Sequence, residues 1–114
     1  MQFRRHVKGG VKVKTYNKEI VNSVYKLWVD TLGMEAVTLP SRVDCMPVIN
    51  CYKYKDMFLR LDTFKDGDEL IYCIEAADSK DLAQNNIFDD AWLYPESMGK
   101  YKILEGMQSD LQSA

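Results

Sequence analysis

Met57-Phe58-Leu59-Arg60-Leu61-Asp62-Thr63-Phe64-Lys65-Asp66-Gly67-Asp68-Glu69-Leu70-Ile71-Tyr72-Cys73-Ile74-Glu75-Ala76 is the stretch on which the fold class turns. In its first half Met57, Leu59, Leu61 and Thr63 alternate with Phe58, Arg60, Asp62 and Phe64. That is the two-residue period of a strand with one wetter face. Lys65-Asp66-Gly67-Asp68 then breaks the pattern, with Gly67 able to take a turn's left-handed corner. Residues 70–76 form a second strand-like run, and residues 46–54 a third, ended by Lys55-Asp56. Connections this short cannot carry parallel crossovers, so the three runs predict an antiparallel meander.

Upstream, Asn17 suits a helix N-cap, because its side-chain oxygen can accept from the free N–H groups of the next turn. Ile20, Val21, Val24, Leu27, Trp28 and Leu32 follow at helical spacing, predicting a helix over 18–32 with Gly33 as its left-handed terminator. Residues 35–39 are short and β-prone, and Pro40 stops them. Downstream, Asp78 or Ser79 can cap a short helix to about Asn86. The C-terminal segment reads two ways. Met98, Tyr101, Leu104, Met107 and Leu111 space as a helix, yet residues 100–104 alternate as a strand and Gly99 and Gly106 weaken the helix. The expected fold class is α+β, with a mostly antiparallel sheet of about four to six strands on one amphipathic helix.

The chain has 114 residues, 46% hydrophobic and 11% aromatic, enough for one domain and one core. Its net charge of −2 hides a division. Arg4, Arg5, Lys8, Lys12 and Lys14 occupy the first fourteen residues without a carboxylate, leaving 10 basic side chains against 17 acidic ones, a balance of −7. The basic run surrounds Gly9-Gly10, which predicts a β-hairpin or, alternatively, an extended arm feeding a strand at Val11. Three cysteines, an odd number, suit a reducing compartment. The first residues lack the apolar core of a signal peptide, and no apolar run reaches the length of about 18 residues that a membrane helix needs. The cytoplasm is the expected location, and no membrane contact is expected.

Chemistry-bearing patterns are sparse. The one histidine, His6, lies in the basic run, apart from Cys45, Cys51 and Cys73, so no nucleophile–base pair is suggested. Zinc prefers about four N or S ligands at paired spacings, and these residues do not supply them. Asp62, Asp66, Asp68 and Glu69 crowd one turn without the ligand positions of a calcium loop. No catalytic residue, metal or cofactor is therefore expected. Two binding surfaces remain. The ribbon Arg4, Arg5, Lys8, Lys12, Lys14 could lie along a phosphate backbone, although the sequence pI near 5.3 is low for a nucleic-acid domain. Asp89, Asp90, Trp92, Tyr94 and Glu96 combine rings with negative charge, as an anchor steered to a basic protein would.

Leu27-Trp28-Val29-Asp30-Thr31-Leu32-Gly33-Met34-Glu35-Ala36-Val37 resembles the helix-to-strand segment of the vicinal-oxygen-chelate (glyoxalase and bleomycin-resistance) family. The order of elements over residues 11–77 is similar to that family's βαβββ module. The resemblance implies that fold, and it places Glu75 at a ligand-bearing position on the module's last strand. Family enzymes hold a divalent metal between two modules through His and Glu. Here Val and Lys stand where the first-strand His would be, so the resemblance implies a metal-free binding role. The leading expectation is a non-catalytic protein that binds another protein, of the inhibitor, immunity or phage-modulator type. A nucleic-acid binder is the alternative, and a chelate-like small-molecule binder or metalloenzyme a second one.

Overall fold

The computed structural model describes residues 16–114. The expected hairpin or arm, its basic ribbon and most of the chelate-type module's first strand fall in residues 1–15, outside the described residues. Within the described residues the chain is α+β, with a five-stranded antiparallel sheet in the order β1-β2-β3-β4-β5. The strands are β1 (Glu35–Pro40), β2 (Val48–Tyr54), β3 (Met57–Asp66), β4 (Glu69–Ala77) and β5 (Asp90–Pro95). Each strand pairs with its sequence neighbour, as the short connections on either side of β3 require there. Lys55 (φ +54°) and Gly67 (φ +64°) supply left-handed corners in the two tight turns.

β4 is covered on both faces. Tyr72, Ile74 and Ala76 point to one side with Leu59, Trp92 and Tyr94 from the flanking strands. This side packs with helices α1 (Lys18–Lys26) and α3 (Lys100–Ser113) through Ile20, Val24, Ile103, Met107 and Leu111. On the other side Leu39, Ile49, Cys51, Phe58 and Ala77 pack with Ala83 of the short helix α2 (Lys80–Gln84) and with Phe88. A strand buried on both faces reads as a continuous apolar run, which residues 70–76 are but for Glu75.

α1 begins as expected, with the Asn17 side chain accepting from the Glu19 N–H at 2.9 Å and from Ile20 at 3.4 Å. The helix predicted over 18–32 is α-helical only to Lys26. Leu27–Thr31 widen into a π-helical turn, and the Leu32 N–H donates to the Leu27 carbonyl at 2.9 Å. Gly33 (φ +68°) then ends it. Periodicity could not reveal this turn, since a widened turn shifts only the residues after it and just Leu32 follows. Trp28, fully buried within it, meets the rings of Tyr25 and Tyr52 edge-on at 5.9 and 5.5 Å.

The C-terminal segment is a helix. Its buried stripe is Ile103, Met107 and Leu111, four residues apart, and not the stripe through Met98 and Tyr101. Gly106 stays inside α3 because the Tyr94 ring lies against it; a Cβ there would meet a Tyr94 ring carbon at 3.2 Å. The Tyr94 hydroxyl donates to the Asp110 carboxylate at 2.7 Å, pinning α3 to β5. Lys55 Nζ donates to the Leu111 and Gln112 carbonyls, satisfying part of the helix's last turn. No helix among the described residues is long and apolar enough to cross a membrane.

Tyr72 joins three elements at one oxygen. Its hydroxyl accepts from the Asn17 N–H at 3.1 Å and donates to the Glu96 carboxylate. Burial, then the bond to Glu96, push its pKa from the ordinary 10 up to about 12. The folded state therefore keeps a proton that the unfolded chain releases, so this contribution is intact below about pH 10 and is lost as pH rises toward 12. Urea midpoints measured across that window should fall with pH, and Tyr72→Phe should flatten the fall. At neutral pH the same variant should lose about 1–2 kcal/mol from its two hydrogen bonds.

Candidate functional site

The acidic-aromatic surface expected around residues 89–96 does not form as a docking face. Trp92 and Tyr94 pair across the sheet with Ile74 and Tyr72 on the side covered by α1 and α3, and are only 6% and 3% exposed. The strand's period decides this: both rings fall on the face that the helices need for their core. Neither ring can anchor a partner. Glu96 sits in the 3-10 turn Glu96–Met98, where it receives the Tyr72 hydroxyl. Asp89 is exposed and Asp90 is half-buried at the start of β5. The ribbon of Arg4, Arg5, Lys8, Lys12 and Lys14 lies outside the described residues.

Glu75 is the one buried charged residue among the described residues, 4% exposed. Its carboxylate accepts from Arg60 Nε at 3.0 Å across the β3–β4 register. Arg60 also donates to Asn86 Oδ1 at 2.7 Å and stacks its guanidinium 4.0 Å from the Phe88 ring centroid. A guanidinium thus already engages one oxygen of the Glu75 carboxylate. Among the described residues no group of three or more His, Cys, Asp or Glu side chains gathers in a way that could hold a metal.

Two concavities remain. One of about 420 Å³ opens where β2 leaves β3, since their pairing extends only from Tyr52–Leu59 to Tyr54–Met57. Tyr25, Val37, Asn50, Cys51, Tyr52 and Arg60 line it. Burial pushes both the Cys51 thiol and the Tyr25 hydroxyl toward their protonated forms. A thiol held protonated is a poor nucleophile.

The other, about 340 Å³, runs between α3 and the end of α1 with its π-helical turn. Leu27 and Leu104 form its apolar floor at the margin of the core. Lys26, Asp30, Lys100 and Tyr101 rise at its edges. Tyr101 is 79% exposed, the most exposed large apolar side chain among the described residues; Val29, on the π-helical turn, is 44% exposed. Lys100 lies 5.0 Å from the Tyr101 ring centroid and reaches Glu19 at 3.5 Å, bridging α3 to α1. The groove therefore joins rigid walls, apolar depth and a ring held out in water. Sequence reasoning put Tyr101 on the buried stripe. Its signal was a ring set between two lysines, Lys100-Tyr101-Lys102, which is poor material for a core.

The chain matches no protein-family model, no curated protein and no solved structure.

The Arg60–Glu75 pair allows a direct check of what holds the cleft wall. Arg60→Met should cost about 3 kcal/mol in urea unfolding by stranding a buried carboxylate, the low end because Arg60 is partly solvated. Arg60→Met/Glu75→Leu should recover most of that loss.

Proposed function

We propose that this protein works by binding another protein and performs no bond-making step of its own. The observation that carries this reading is Tyr101, held out at 79% exposure on the lip of an apolar groove between two packed helices. Exposed tyrosine beside a preformed pocket is the chemistry of interface anchors, which bring large contact area at little conformational cost. The π-helical turn forming one wall supports it, because such turns recur at functional sites. The groups whose acidity burial displaces, Tyr25, Cys51, Tyr72 and Tyr94, are all moved toward the neutral, protonated form and away from reactivity.

In this reading the anchor moves from Trp92 and Tyr94 to Tyr101, while the general role stays that of an inhibitor, immunity or modulator protein. A small α+β domain with a net acidic described surface fits that role by type and not by any shared motif. The β2–β3 cleft supports a second reading, a small-molecule binding protein, since its volume falls within the range of about 300–1,000 Å³ that such sites occupy.

Tyr101→Ala should leave stability within about 0.5 kcal/mol of the parent, because the side chain is mostly in water. The same change should weaken capture of the partner about 30-fold, the loss of an anchor worth about 2 kcal/mol. Quantitative pull-down from the source organism's lysate, parent against variant, measures it. Equal recovery of one partner by both proteins would remove Tyr101 and its groove from the function.

A further inference from the structure

The cleft between β2 and β3 is a parting of neighbouring strands, and the register tells which groups it uncovers. Bonded and unbonded pairs alternate in an antiparallel ladder. Tyr54–Met57 closes the two-residue turn, Tyr52–Leu59 is the next bonded pair, and Asn50–Leu61 would be the one after. That pair does not form. The N–H and C=O groups of Asn50 and Leu61 therefore face the gap from its two sides. Asn50 adds its side chain: Oδ1 accepts from the Thr38 hydroxyl at 2.9 Å, and the amide nitrogen has no partner among the described residues. The rim thus offers donors and acceptors side by side, as an unfinished ladder does. The walls are apolar and without net charge. Tyr25, Tyr52 and Leu61 border the cleft from the layer of α1 and α3, the two tyrosine rings 5.6 Å apart and tilted by 30°. Val37 and Cys51 border it from the layer of α2. Arg60 is the one charged residue in the lining, and Glu75 neutralises it. Burial holds Tyr25 and Cys51 in their protonated forms, so neither adds a charge at neutral pH.

We infer that this cleft receives a neutral, flat heterocycle with an amide-type edge, one whose ring N–H and C=O groups adjoin as they do in a lactam or a pyrimidinedione. The inference rests on the small-molecule reading of the cleft and names its ligand. The ring lies between the tyrosine side and the Val37–Cys51 side. Its edge takes the place of the missing strand, pairing with the peptide groups of Asn50 or Leu61 and with the Asn50 amide. Three features select for it. Flatness follows from a gap that opens between two layers of side chains. Neutrality follows because an ion entering the cleft loses water and meets no opposite charge that is not already paired. The amide edge follows from the rim, since a site that presents hydrogen-bonding groups rejects an isostere unable to answer them. A volume of about 420 Å³ leaves room for a fused bicycle.

Isothermal titration of the full chain with four flat bicyclic probes of similar size tests the inference. The probes are quinazolinedione, its N,N′-dimethyl derivative, naphthoate and naphthylmethylammonium. Quinazolinedione should bind at least about tenfold more tightly than the dimethyl compound, which keeps the ring and the carbonyls but has no N–H to donate. Neither charged naphthalene should match it. Ala36→Trp, which places a large ring at an exposed position of the lining, should abolish binding. Asn50→Ala should weaken binding of quinazolinedione about tenfold and leave the dimethyl compound less affected. Circular dichroism confirms that each variant is folded. A dimethyl or charged probe that binds as tightly as quinazolinedione, and is blocked by Ala36→Trp, would overturn the ligand class and leave the small-molecule cleft standing. Absence of binding by all four probes, or binding that survives Ala36→Trp, would overturn both.

Discussion

Strand β4 turns neither face to water, and a strand so placed must give both alternating sets of its side chains to a covering layer. Tyr72, Ile74 and Ala76 go to α1 and α3, while Ala77 goes to the layer of α2 and Phe88. Every other placement follows from this division. β5 pairs with β4 in a register that sends Trp92 and Tyr94 into the helical side. Tyr94 then fixes α3 through Asp110 and through the space left by Gly106, and with α3 fixed, Tyr101 must point away. Each step costs a polar group its water and supplies a specific partner in return, as buried hydroxyls require.

The same division explains where the charges went. A carboxylate at position 75 falls on a buried face, and it persists there because Arg60, directly opposite in the register, neutralises it. Glu96 is held by Tyr72, Glu69 receives the Ser97 hydroxyl, and Asp81 is paired with Arg42. Many of the carboxylates that look like one acidic surface along the chain are therefore dispersed over turns and strand ends, each with a local task. The proposed docking groove lies instead where two helices diverge, and its lining comes from residues 23–31 and 100–104, far apart along the chain.

Much of the fold was legible. The Asn17 cap, the Gly33 terminator, the alternation in residues 57–64 and the glycine of the β3–β4 turn are local signals, written in adjacent residues and acting through adjacent backbone. The π-helical turn at Leu27–Thr31 was not legible, because its hydrogen-bond pattern differs from an α-helix by one residue at the very end of the periodic run. The phase of α3 was not legible either. Ile103, Met107 and Leu111 compete in sequence with Tyr101, Leu104 and Leu111 as the apolar stripe, and only contact with Tyr94 at Gly106 chooses between them.

The amino-acid sequence by itself determined the capped first helix, the antiparallel connection of the strands between residues 46 and 76 and the excess of negative charge after residue 14, since these depend on short-range geometry and on composition. Tertiary structure alone decided which aromatic rings are core and which meet solvent. Exposure belongs to the packing of layers far apart in the chain, so Trp92 and Tyr94 vanish beneath α1 and α3 while Tyr101 is turned outward. A side chain's chemistry is local, but its access to a partner is set by what the rest of the chain places over it.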